Sequence, residues 1–417
     1  MNKIKNKKII NERNECRVCF NKEIVRIIKL GKMPLAGAFI DKNELQKKEL
    51  KIPLNLYYCS NCKLVQVKDS IDANFLFNNY NYSSSKIPSL ELHFKNYAKK
   101  ILNYFNKRKS IKILEFGCND GVLLKEFKKY KKYFILGVDP SKNISDLAKK
   151  RGLNVINNYF NLKTSKYIDK KFGKFDYITG SNVFAHINDI HTVVKASKQL
   201  LKKNGLLVIE VHYLLDLISE NQYDFFYHEH LNYYTISSLV KLFKIDKLKL
   251  IDVERIKIHG GSIRVTVTNN KSKIVSNNVR EMIEKEKKVN LNFFNEFNNN
   301  IKKQKYETIA ILNKLINSNK KIIGYGASGR GTIFLNYCKI NNKYLEYIVD
   351  GSPLRAGKYM PGVKIPIYDL KYFHKNNKKI DYVLIIAWNY SEFIIKQVRK
   401  INNKIKFIIP FPFPTII

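Results

Sequence analysis

The sequence predicts an α/β chain of several domains: a small cysteine-bearing N-terminal domain, a doubly wound parallel sheet, and a second, Rossmann-like α/β domain. Three observations carry this. Two CxxC pairs stand near the N-terminus, Cys16/Cys19 and Cys59/Cys62. A strand, glycine turn and helix pattern occurs at IKILEFGCNDGVLLKEF and again at KIIGYGASGRGTIFLNYC. Between and after these, apolar runs alternate with amphipathic ones, as in βαβ units. A length of 417 residues exceeds one ordinary core. The expected boundaries are 1–75, 76–270, a helical connector over 271–318, and 319–417.

Hydrophobic residues at 45% fit a globular protein. The 76 Lys+Arg against 35 Asp+Glu give a formal charge of +41. The lysines are scattered and travel with Asn and Ile, so they read as compositional bias, without the patterned stripe of a groove binder. A positive surface still draws in an anionic substrate. No run approaches the roughly 18 apolar residues of a membrane span, and MNKIKNKK is not followed by a signal core. The expectation is a cytoplasmic protein with no membrane partner, in which six cysteines form no disulfide framework.

The N-terminal domain comes first. Cys16, Cys19, Cys59 and Cys62 supply four thiolates, the tetrahedral set zinc prefers, with no position left for substrate. They predict one structural zinc; a redox CxxC would account for one pair alone. The metal also explains how about 70 residues with little apolar content can fold.

After Asp69 the chain passes from loop to an amphipathic helix with Leu90, Leu92, Phe94, Tyr97 and Ile101 apolar. Tyr80 and Tyr82, before a serine cluster, read equally as packing aromatics or as site residues. In IKILEFGCNDGVLLKEF, Ile111, Ile113 and Leu114 predict a buried strand. Glu115, Gly117 and Gly121 form the turn, and Val122 to Phe127 are expected to open a helix. Glycines at such a turn let the backbone approach a ligand, and ExGxxxG differs from the dinucleotide GxGxxG. YFILGVDP is a strand ending in Asp139, placed to accept from ribose hydroxyls. FDYITGSNVFAHI and GLLVIEVHY are further strands, with Asn182, His186 and Glu210 to Tyr213 at or past their ends. This is the pattern of a class I methyltransferase using S-adenosylmethionine, its ligand across the carboxyl edge of the sheet. A lone His186 also suits a structural role.

Residues 223–234, YDFFYHEHLNYY, place His228, Glu229 and His230 in an aromatic segment where proton transfer can be tuned toward neutral pH. Binding of a metal by the HxH pair lacks further ligands nearby, and a buried structural network is the other reading. LKLIDVERIKIHGGSIRVTVTN predicts two strands joined through Gly260 and Gly261. Residues 273–318 read as a solvated helical stretch. The last α/β unit begins at Lys320; its GYGASGRG is only loosely dinucleotide-like, and Arg330 beside it suits a phosphate or a packing contact.

Together the CxxC pairs, the ExGxxxG turn, NVFAHI, YLLDLI, YHEHLNYY, HGGSIRVTV, GYGASGRG and VDGSPLRAGKYMPG resemble, in that order, the three-domain sugar C-methyltransferases. The resemblance spans nearly the whole chain. It implies a zinc-binding domain, a central S-adenosylmethionine domain and a C-terminal Rossmann-like domain. It also implies C-methylation beside the ketone of a nucleotide-diphosphate-linked 4-keto-deoxysugar, with the nucleotide held between domains.

By the same resemblance His230 is the general base, with Glu229, Tyr227 and His186 at neighbouring active-site positions. Tyr82 or Tyr80 matches a tyrosine that reaches in, and His228 has no assigned task. Glu115, Gly117, Gly121, Asp139 and Asn182 are the expected cofactor contacts. His212 stands where proline is usual and Arg330 where lysine is usual. The competing expectations are an O- or N-methyltransferase, and an RNA methyltransferase or RNA-binding protein. The sequence leaves monomer or dimer open.

Overall fold

The computed structural model describes residues 10–77 and 83–417. The chain forms two compact units. The first runs from the described start to Val25 and includes Tyr58–Leu214 and Leu231–Lys288; the second comprises Arg26–Tyr57, Leu215–His230 and Val289–Ile417.

The first unit is built on a seven-stranded sheet. Its order is Lys249–Ile256, Ser262–Thr268, Leu201–His212, Phe175–Ser181, Ile111–Phe116, Tyr133–Val138 and Val155–Ile156. Counted along the chain, this is 6-7-5-4-1-2-3. Strand 7 is antiparallel to both neighbours, and strands 1 to 5 are parallel. That is the class I methyltransferase arrangement. The longer parallel strands are buried along most of their length, as strands covered on both faces are. The order reverses at Ile111–Phe116, so the ligand crevice of such a sheet opens beyond its carboxyl end and that of Phe175–Ser181.

The Pro88–Tyr104 helix covers this sheet with Leu90, Phe94, Tyr97, Ala98 and Ile101. Leu92, expected on the same stripe, is exposed, because it lies about half a turn off the i, i+4, i+7 line. The helix expected from Val122 is absent too. The segment is a tight turn with a 3-10 stretch, Leu124–Glu126. Val122, Leu123 and Leu124 are all buried.

The second unit holds a six-stranded sheet in the order Ile367–Tyr368, Ile348–Val349, Ile322–Tyr325, Tyr382–Ile385, Lys406–Ile409 and Thr415–Ile416. Along the chain this is 3-2-1-4-5-6, the Rossmann order, with the last strand antiparallel. The stretch read as solvated contains the Asn277–Lys285 helix of the first unit and the Leu291–Asn317 helix of the second. The reading is corrected for one face: Phe294, Phe297, Ile301, Leu312 and Leu315 are buried. Among the described residues, no helix is long and apolar enough to cross a membrane.

Candidate active site and zinc centre

The two CxxC segments fold into matching knuckles. Phe20 and Lys63, each following the second cysteine, take left-handed backbone at φ 59° and 64°. Their N–H groups return to the carbonyls of Cys16 and Cys59 at 3.0 and 2.8 Å. Both turns aim their thiols inward, and the four Sγ atoms lie within 4.8 Å of one another. Asn21 and Asn61 point amide groups at Cys59 and Cys19 Sγ, at 3.9 and 3.6 Å, as outer donors to thiolates do. The donor set fits a closed tetrahedral zinc site.

At the carboxyl end of Ile111–Phe116, the glycine turn has residues of its own to satisfy. Gly117 and Gly121 have φ of +63° and +76°. A Cβ on Gly117 would meet Val183 at 2.7 Å, and one on Gly121 would meet Leu153 at 2.2 Å. Conformation and neighbouring side chains therefore account for both glycines. Asp139 ties the loop down, accepting from Asn119 N and Ser141 N at 2.9 Å each. Each oxygen keeps a lone pair for a further donor.

Asp120 was not singled out in the sequence, although it lies between the two glycines. Its Oδ2 accepts from Ser83 Oγ at 2.6 Å and Ser85 Oγ at 2.5 Å, which fixes the serine cluster to the turn. Tyr80 and Tyr82 lie outside the described residues.

Four of the buried polar atoms without a hydrogen-bond partner among the described residues lie at these strand ends. They are Glu115 Oε2, Asp120 Oδ1, Ser181 Oγ and Asn182 Oδ1. Orphans at one sheet edge mark a place where a polar ligand belongs. Burial, then the nearby carboxylates of Glu210, Asp139 and Asp120, push the Glu115 carboxyl well above its usual range. These groups fit the polar ends of S-adenosylmethionine.

Glu210, expected to face the crevice, does not serve it. Its carboxylate is fully buried and bonded to Arg264 at 2.8 and 2.5 Å and to His93 at 3.1 Å. Burial pushes this carboxyl up, but His93 and Arg264 outweigh it and hold it below its usual range. His186 ends the short Phe184–His186 turn, edge-on to Phe77 at 5.6 Å.

The aromatic segment divides at its middle. Residues 231–234 belong to the first unit, where Leu231 N donates to Ala185 O at 2.8 Å, beside His186. Tyr227 to His230 belong to the second. There, Tyr227 Oη and His230 Nε2 are 2.9 Å apart, and His230 Nδ1 is 3.4 Å from Phe225 O. A carbonyl only accepts, so Nδ1 carries a proton; in the neutral ring Nε2 then accepts from the tyrosine's hydroxyl.

Burial pushes the Glu229 carboxyl up to about 7. His228, left without a task, is structural: its Nε2 is 3.2 Å from Ile52 O, and burial lowers its pKa to about 4.

Over 98% of its length, the chain is 30% identical to C-methyltransferase NovU of Streptomyces niveus, covering 98% of that protein. It belongs to the C-methyltransferase family. Three family profiles match in succession: a zinc binding domain over residues 16–77, a methyltransferase domain over 90–251 and a C-methyltransferase C-terminal domain over 257–412.

A ubiquinone biosynthesis O-methyltransferase of Pelagibacter ubique is 35% identical, over only 24% of this chain and 42% of its own. A solved S-adenosylmethionine-dependent methyltransferase from Clostridium acetobutylicum aligns at 15% identity and TM-score 0.33, covering 46% of this chain and 93% of that one. The methyltransferase-domain and zinc-binding matches make this C-methyltransferase an S-adenosylmethionine-dependent enzyme whose four cysteines hold one zinc.

Proposed function

We propose that this C-methyltransferase methylates a carbon beside the ketone of a nucleotide-linked 4-keto-deoxysugar. S-adenosylmethionine supplies a sulfonium methyl group, which only an electron-rich carbon can take. A 4-keto group acidifies the neighbouring C–H bond, so a positioned base can create that carbon. Identity over the full length to a protein named as a C-methyltransferase supports carbon over oxygen or nitrogen.

The observation that carries the reading is the Tyr227–His230 pair, in which Nδ1 faces the Phe225 carbonyl and Nε2 faces the phenol. His230 Nε2 takes the proton from carbon, and the C–H electron pair moves into an enolate. Tyr227, His186 or a tyrosine at 80 or 82 donates to the enolate oxygen. The histidine releases its proton to solvent after transfer. For the methyl donor, Asp139 accepts from the ribose, Asn182 and Glu115 meet its polar groups, and the Gly117–Gly121 turn lines its place. The nucleotide diphosphate suits the chain's formal charge of +41.

Glu229 supports a second assignment. A carboxyl held near 7 is itself a competent base at neutral pH, whereas the first reading has it orient an imidazole. Solvent deuterium exchange of the sugar's acidic proton separates the two: His230→Ala abolishes it in the first reading, and Glu229→Gln in the second. The substrate is tested with labelled S-adenosylmethionine and a panel of thymidine-, guanosine-, cytidine- and uridine-linked 4-keto sugars, with the methyl located by NMR. Failure across the panel sinks the proposal.

A further inference from the structure

The glycine turn of the second unit, GYGASGRG, resembles a phosphate cradle, and Arg330 stands second in the helix it opens, Gly329–Cys338. An arginine fork at such a turn suits an anion. The anion it holds is the protein's own. Arg330 Nε donates to Asp224 Oδ2 at 3.0 Å and Nη2 to Oδ1 at 2.9 Å, a bidentate pair. Trp388 Nε1 donates to Oδ2 at 2.9 Å, and Arg330 Nη2 also meets Gln222 Oε1 at 3.3 Å.

The glycines have packing reasons: a Cβ on Gly326 would lie 2.3 Å from that of Ala387, and one on Gly331 would lie 2.4 Å from Ile386. Near the helix start, Thr332 Oγ1 donates to Ala36 O at 3.0 Å.

Asp224 precedes Phe225, and Phe225 touches His230 twice. Its carbonyl accepts from Nδ1, and its ring stacks on the imidazole, with centroids 5.1 Å apart and planes at 28°. The guanidinium carbon of Arg330 lies 4.7 Å from the centre of the same phenyl ring.

We propose that Arg330 and Asp224 are positioning residues for the methylation reaction: their ion pair fixes Phe225, which sets the plane and tautomer of His230. This rests on the reading of His230 as the base. The carbonyl of Phe225 keeps the proton on Nδ1 and leaves Nε2 basic; a turn released from its clamp lets the proton settle on Nε2, where the ring cannot take another from carbon. The glycine turn thus serves as an internal anchor for the base.

The test uses the full-length, zinc-loaded protein and the variants Arg330→Gln, Asp224→Asn and their double, with Arg330→Lys as the conservative change. Two-bond proton–nitrogen NMR reads the His230 tautomer without substrate, its signals identified by their loss in His230→Ala. The wild type is expected to show the Nδ1–H form, and Gln or Asn variants a mixture with Nε2–H. Proton exchange from the 4-keto sugar found in the panel should fall about 10- to 100-fold in kcat, with S-adenosylmethionine affinity unchanged. The double variant should be no slower than the slower single, and Arg330→Lys intermediate. If the charge variants fail to fold, Trp388→Phe removes one donor to Asp224 and should give a smaller shift in the same direction.

An unchanged tautomer signature in folded variants overturns the inference. Exchange that survives His230→Ala overturns the base reading instead.

Discussion

Tyr227 Oη sits 2.9 Å from His230 Nε2, while His230 Nδ1 faces the carbonyl of Phe225. The Phe225 carbonyl calls for a proton on Nδ1, and the phenol stands beside the nitrogen proposed to receive one. Tyr227→Phe should keep part of the exchange activity, because the base survives without its hydroxyl neighbour. His230→Ala should lose on the order of 10²- to 10⁴-fold in both exchange and methylation. Comparing the two by NMR exchange rates checks the division of roles.

His228 and Glu229 give the pH-dependence of stability opposite signs. His228 falls from 6.5 to about 4 on folding, so between those values the unfolded chain binds more protons and stability is lost as pH drops. The loss amounts to at most ~3 kcal/mol. Glu229 rises from 4.5 to about 7, so the folded chain binds more protons there and stability is lost as pH rises through that window. The two windows overlap and the slopes oppose, so the wild type should be nearly flat there; urea midpoints should fall with rising pH in His228→Gln and with falling pH in Glu229→Gln.

Arg264 is the partner of fully buried Glu210, at 2.8 and 2.5 Å. Arg264→Met should cost about 3–5 kcal/mol, since it leaves a buried carboxylate without its cation. Adding Glu210→Gln should recover part of that loss. Denaturant unfolding of the two variants tests it.

Zinc is expected at one ion per chain. Changing Cys16 or Cys62 to serine, or adding a strong chelator, should release the metal and expose the N-terminal segment to protease, because four thiolates replace a large core there. Metal analysis and limited proteolysis read the outcome. Zinc retained by the serine variants at full occupancy would contradict the cysteine site.

Much of the fold was legible because its signals are local. The knuckles are set by cysteine spacing. Strands such as Tyr133–Val138 and Leu201–His212 are set by apolar runs, YFILGV and LLVI, followed by polar residues. Expectations failed where a residue's neighbours come from elsewhere. Leu92 differs from Leu90 only in which face meets the sheet. Asp120 escaped notice because Ser83 and Ser85, its partners, are tens of residues away.

The sequence by itself determined the class of each domain, the four zinc ligands and the segment carrying His230, since spacing and periodicity act over a few residues. Only the tertiary structure decided that Glu210 pairs with Arg264 and that Asp224 fills the fork of Arg330. Those bonds join positions far apart in the chain, and a charge in a sequence does not reveal which opposite charge will be buried with it.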